Sequence, residues 1–108
     1  MSLLKEHAQK RLRRREELRL KVRQHLKDAL HQLAPGEPVF VFGSITQPYK
    51  FHNRSDVDIA LLHEPKQCSI YQLLSNLEEV LRRPVDVVLL GETRLREKIK
   101  REGELWTN

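Results

Sequence analysis

Between Leu3 and Leu33 the chain contains neither Gly nor Pro, and the five residues that follow, "APGEP" (34–38), contain three of them. A run ended that abruptly is one long helix. It leaves the 75 residues after Leu33 to build everything else. At this length there is one core and no second. Within the run Leu18, Val22, Leu26, Ala29, Leu30 and Leu33 recur at helical spacing, so its second half packs on that core. Toward the N-terminus the stripe thins to Leu4, Ala8 and Leu12 beside "KRLRRREE".

Charge follows the same division. Residues 1–33 carry ten Lys/Arg against four Asp/Glu, a balance of +6, and the rest carry ten against eleven, a balance of −1. The basicity therefore belongs to the helix. Two readings fit it: a solvated amphipathic helix, or a helix that meets an acidic partner, nucleic acid or protein.

The remaining residues fall into short apolar runs separated by turn signals. "PVFVFGS" (38–44) reads as a buried strand ending at Gly43, and "DVDIALLH" (56–63) as a second. "SIYQLLSNLEEVLRR" (69–83) is a helix capped by Ser69, with Ile70, Leu73, Leu74, Leu77, Val80 and Leu81 on its apolar face. "PVDVVLLG" (84–91) is a third strand and "TRLREKIKREG" (93–103) a short charged helix. The order helix, strand, loop, strand, helix, strand, helix predicts an α/β fold with a small mixed sheet flanked by helices.

Composition narrows the function. No stretch approaches the roughly 18 apolar residues of a membrane span. The N-terminus lacks a secretory apolar core and cleavage site, and Glu6, Glu16 and Glu17 argue against a transit peptide. A single cysteine, Cys68, excludes an internal disulfide and a Cys-based zinc site, and a cytoplasmic protein is expected. His7, His25 and His31 lack metal-binding spacing, while His52 and His63 read as loop and strand-end residues.

The chemistry lies in carboxylates that interrupt apolar strands. Side chains alternate across a strand, so Asp56 and Asp58 share a face. Asp86 is the one polar interruption of "PVDVVLL". Three carboxylates on adjacent strands suit hard divalent cations, which take oxygen ligands. Two such ions about 3.5–4 Å apart form the usual clamp for phosphoryl or nucleotidyl transfer. Gly43-Ser44 fits the same site: Gly lets backbone approach a phosphate, and the Ser hydroxyl and following N–H groups donate to it.

Gly43-Ser44, Ser55-Asp56-Val57-Asp58 with its apolar continuation, and Asp86 in a third strand together resemble the DNA polymerase β-type nucleotidyltransferase superfamily. Its minimal nucleotidyltransferases, the antitoxins of HEPN/MNT toxin–antitoxin pairs, are the most similar members. The resemblance covers residues 38 to about 106, and "LREKIKREGELW" is similar to the family's last helix and final short strand. It implies a nucleotidyltransferase core over 35–108, with 1–34 as a basic helix packed on it. It also implies that Gly43 and Ser44 contact nucleotide phosphates. Asp56 and Asp58 would coordinate magnesium, and Asp86 would complete the metal site and help activate the attacking hydroxyl. The loop "ITQPYKFHNR" departs from the pattern, lacking a second Gly and an early Arg, and is about one residue longer. Lys50 and Arg54 are then the expected sources of positive charge.

What the resemblance implies for function is an antitoxin, magnesium-dependent with two ions, that transfers AMP from ATP to a tyrosine of a HEPN-type ribonuclease toxin. The basic helix is an extra contact with that partner. Two other readings stand beside it: a non-catalytic antitoxin that neutralises by covering its partner, and a nucleic-acid-binding module using the Arg-rich helix. Tyr49 and Phe51 either stack an adenine or anchor their loop, and Trp106 packs the C-terminus onto the sheet.

Overall fold

The computed structural model describes residues 2–107. The first helix, α1 (Leu3–Leu33), begins at Ser2, whose hydroxyl accepts the Lys5 N–H at 3.2 Å. Capping of this kind satisfies one of the backbone donors orphaned at a helix start. At 1.5 Å per residue such a helix is about 46 Å long, and it sets the 54 Å long dimension of a body 28 and 19 Å across.

Three strands follow where apolar runs predict them, each shorter than its run: β1 (Pro38–Phe42), β2 (Val57–Leu61) and β3 (Val85–Leu89). Gly43–Thr46 is not strand but a tight 3-10 turn, and Asp56 stands just ahead of β2. Between β2 and β3 runs α2 (Ile70–Leu81), opened by a capping box in which Ser69 and Gln72 exchange hydrogen bonds of 3.1 Å. A short α3 (Arg96–Glu102) leads into β4 (Glu104–Thr107), the final short strand that the family resemblance implies beyond the three read from apolar runs.

The sheet order is β3-β2-β1-β4. β1 pairs antiparallel with β2 and β4, whereas β2 and β3, joined through α2, are parallel. Val39, Val41, Val57, Ile59, Leu61 and Val85 point to one face and pack with Val22, Leu26, Leu30, Leu73 and Leu77 of α1 and α2. The other face carries a smaller cluster of Ala60, Leu90 and Ile99, flanked by Phe40, Phe42 and Val88, under α3. Trp106, paired with Val39, is half-buried against the main core. No helix among the described residues is long and apolar enough to cross a membrane.

Candidate active site

Sheet register builds the site. Asp58 lies opposite Phe42 on β1 and Asp86 on β3, so the three residues form one row across the sheet. Pleating puts that row on the face covered by α3. Neighbouring strands are about 4.8 Å apart, so two carboxylates stand side by side, and Asp56 adds a third two residues before Asp58. Burial first, and then the charges of Asp86 and Asp56, push the Asp58 carboxyl from 3.8 up to about 6. Carboxylate oxygens are the donor set for a hard divalent cation, and a cation here would offset that mutual repulsion, so the residues fit one. Among the described residues, no group of three or more His, Cys, Asp or Glu encloses an ion as the side chains stand. Asp58 is half-buried, while Asp56 and Asp86 are exposed and free to turn about their side-chain torsions.

Gly43 brings the chain against this row. Its φ is +81°, and a Cβ there would overlap the Asp58 carboxylate. Only glycine permits both the turn and the approach. Beyond it the Thr46 hydroxyl donates to the Gly43 carbonyl at 2.7 Å, closing the turn. The Ser44 hydroxyl, half-buried, makes no hydrogen bond among the described residues. Phe42, Gly43, Thr46 and Gln47 face Lys98, Ile99 and Glu102 of α3 across an open cleft of about 430 Å³.

The loop from Ser44 to Ser55 is held from two sides. Arg19 of α1, itself buried, donates to the Ile45 carbonyl at 3.0 Å, and Arg23 reaches the same oxygen at 3.4 Å. Glu16 receives a two-pronged ion pair from Arg19 (2.7 and 2.8 Å) and the N–H of Tyr49 at 3.1 Å. Those bonds hold its carboxyl well below the usual range, at about 2. Arg23 forms a second fork on Glu104 of β4, at 2.7 and 3.0 Å, and lies 5.3 Å from the centre of the Trp106 ring. On the far side Arg83 donates to the carbonyls of Ser55 (3.0 Å) and His52 (3.4 Å) and sits 4.7 Å over the Phe51 ring. Ile45 and Phe51 are fully buried plugs beneath the loop.

Several expectations are thereby placed. Gly43, Asp58 and Asp86 come together, with Ser44 and Asp56 adjoining them. Phe51 anchors its loop, while Tyr49 is half exposed and strained at φ 66°. Lys50 and Arg54 are exposed, and neither lines the Gly43 cleft; Arg54 faces α1 instead. The cation that does line the cleft is Lys98, one of several charges on α3 and indistinguishable from them in sequence. The solvated reading of the basic helix fails at Arg19 and Arg23, which turn inward to hold the loop. Their signal was spacing alone: Arg19, Arg23, Leu26 and Leu30 run along one edge of the buried stripe.

Residues 24–107 match the family described as Polymerase beta, Nucleotidyltransferase. The fold is also similar to a solved structure described as "Crystal structure of the toxin-antitoxin with AMP-PNP", at 25% identity and a TM-score of 0.61, over 79% of this chain and 73% of that one. No curated protein matches the chain. With the Gly-Ser turn and the Asp row seated on a β3-β2-β1-β4 sheet within the matched residues, the chain belongs to the polymerase β nucleotidyltransferase family.

Proposed function

We propose that the chain is an antitoxin that transfers AMP from ATP to a hydroxyl, a tyrosine's by the family resemblance, on a partner toxin of the HEPN type. The observation that carries this reading is the row Phe42–Asp58–Asp86 with the Gly43 backbone laid against it. A likeness to a toxin–antitoxin structure with AMP-PNP supports the partner and the nucleotide. Magnesium held by Asp56, Asp58 and Asp86 would neutralise the triphosphate.

The chain's own residues divide the remaining work. Gly43 and Ser44 cradle phosphate oxygens through backbone N–H groups and the free Ser44 hydroxyl. Lys98, across the cleft, pairs with the negative charge of the departing pyrophosphate. The acceptor oxygen attacks the α-phosphorus, the bond to pyrophosphate breaks, and Asp86, exposed at the row's end, takes the hydroxyl proton. Arg19, Arg23 and Arg83 touch none of the reacting groups; they position the loop.

The test is incubation of the co-expressed partner with ATP and magnesium, followed by mass spectrometry. An added AMP mass that vanishes with Asp56→Asn or Asp58→Asn is expected. Transfer that persists in both variants would sink the assignment.

A further inference from the structure

The helical face that α1 buries in its own core does not stop at the edge of the domain. Leu4, Ala8, Arg11, Arg15, Leu18 and Val22 succeed one another at steps of four and three residues, the seam spacing of helix-on-helix packing. Val22 is buried and Leu18 packs on the core, but Leu4, Ala8 and Arg11 are exposed. Alongside the exposed half runs a groove of about 400 Å³, walled by Arg11, Arg14, Arg15 and Leu18 on one side and by His52, Asn53 and Arg54 on the other. Leu18 belongs both to this groove and to the core, so the two surfaces are continuous.

Four guanidinium groups line that groove and no carboxylate does. The ion pairs among the described residues are Glu16–Arg19, Arg23–Glu104 and Arg101–Glu102, and none of them involves the groove arginines. Glu16, the nearest acid on the helix, is already occupied by Arg19 and Tyr49. His52 accepts the Arg54 N–H on Nδ1 at 3.1 Å, which leaves Nε2–H as a further donor. Like charges gathered without a counter-charge repel, and no ion pair among the described residues offsets that cost.

We propose that this face of α1, with loop 52–54, docks an acidic amphipathic helix of the partner protein. A seam whose apolar ends, Leu4–Ala8 and Leu18–Val22, enclose Arg11 and Arg15 complements a helix that carries apolar residues along one stripe and Glu or Asp among and beside them. A second copy of this chain would meet the face with the same arginines. A nucleic-acid strand would find phosphate ligands but only the His52 imidazole as an aromatic ring, with no Phe, Tyr or Trp platform for successive bases. The inference rests on the proposed function only in taking the partner to be a protein, because no residue lining the groove is among those assigned to transfer.

The probe is a labelled peptide of about 21 residues, three heptads with Leu at the seam and Glu beside it, titrated with the whole chain and read by fluorescence anisotropy. Binding is expected, falling between about 50 and about 200 mM salt as charged contacts are screened. Binding about tenfold weaker is expected for Arg11→Glu/Arg14→Glu and separately for Arg54→Glu, with circular dichroism confirming the fold. The same peptide with Lys in place of Glu should not bind. Asp58→Asn should bind like wild type, so that loss of transfer and loss of docking are read separately. No binding of the Glu peptide, or equal binding of the Lys peptide, overturns the proposal. So does tighter, Arg54-dependent binding of an RNA of about 15 nucleotides, or a dimer by sedimentation that Arg11→Glu/Arg14→Glu dissolves.

Discussion

Arg19 on the first helix donates to the carbonyl oxygen of Ile45, one residue past the Gly-Ser pair, at 3.0 Å. Twenty-six residues separate them in sequence, and the bond is buried. A hydrogen bond to a charged group contributes about 2 kcal/mol, and Arg19→Met leaves the Ile45 carbonyl with only the longer Arg23 contact. The expected outcome is a fall in Tm of roughly 10 °C, as about 2 kcal/mol gives for a domain of this size, together with weaker Mg·ATP binding in calorimetric titration. A fall in Tm of a degree or two would show that the guanidinium holds nothing.

Glu16 makes the same brace sensitive to pH. Its carboxyl is lowered from 4.5 to about 2 by Arg19 first and by the Tyr49 N–H second. A folded-state value below the unfolded one means that the stabilisation is complete above about 4.5 and is lost as pH falls toward 2. Glu16→Gln should therefore be less stable than wild type at pH 7, with the gap closing through that window. Urea unfolding of both proteins at pH 7 and pH 3 checks it, and a gap of constant size at both would refute the linkage.

Asp58 is half-buried beside the like charges of Asp86 and Asp56. Asp58→Asn removes that repulsion and keeps the shape. Discounting for its partial exposure, the gain is about 1 kcal/mol. Higher Tm together with abolished AMP transfer is the expected pairing, measured on one preparation by calorimetry and mass spectrometry. A drop in Tm would mean that the carboxylate is structural.

Lys98→Ala should leave Tm within about a degree, because an exposed side chain outside special features costs little. The KM for ATP should rise about tenfold, which is the 1.4 kcal/mol expected of one lost charge-assisted contact. Lys50→Ala, in the same assay, should change little. If the two variants exchange these behaviours, the cleft cation lies on the loop and not on α3.

The strands and the carboxylate row were legible because each apolar run is broken only where an Asp stands, and parity in a strand is strict. Asp86 inside "PVDVVLL" could also be read as an edge-strand residue, and it does stand exposed on the edge strand β3; its pairing with Asp58 is what the sequence did not show by itself. The limits of the strands were less so: Gly43 leaves β1 early because its φ is positive, and Asp56 precedes β2 because Ser55 closes a turn onto the His52 carbonyl at 2.9 Å. β4 holds four residues with an apolar side chain only at Leu105 and Trp106, too little for a periodicity, and only the family resemblance pointed to it. Inward arginines were not legible as such. Arg19 beneath the loop and Arg15 beside the groove are the same residue type four positions apart, and only the packing of α1 tells which one finds a carbonyl.

Glu104 has a consequence for how the chain reaches its working form. It grips Arg23, which with Arg19 steadies the Ile45 carbonyl. β4 is synthesised after every other described element, so on the ribosome the loop from Ser44 to Ser55 lacks one of its fastenings until β4 itself has emerged.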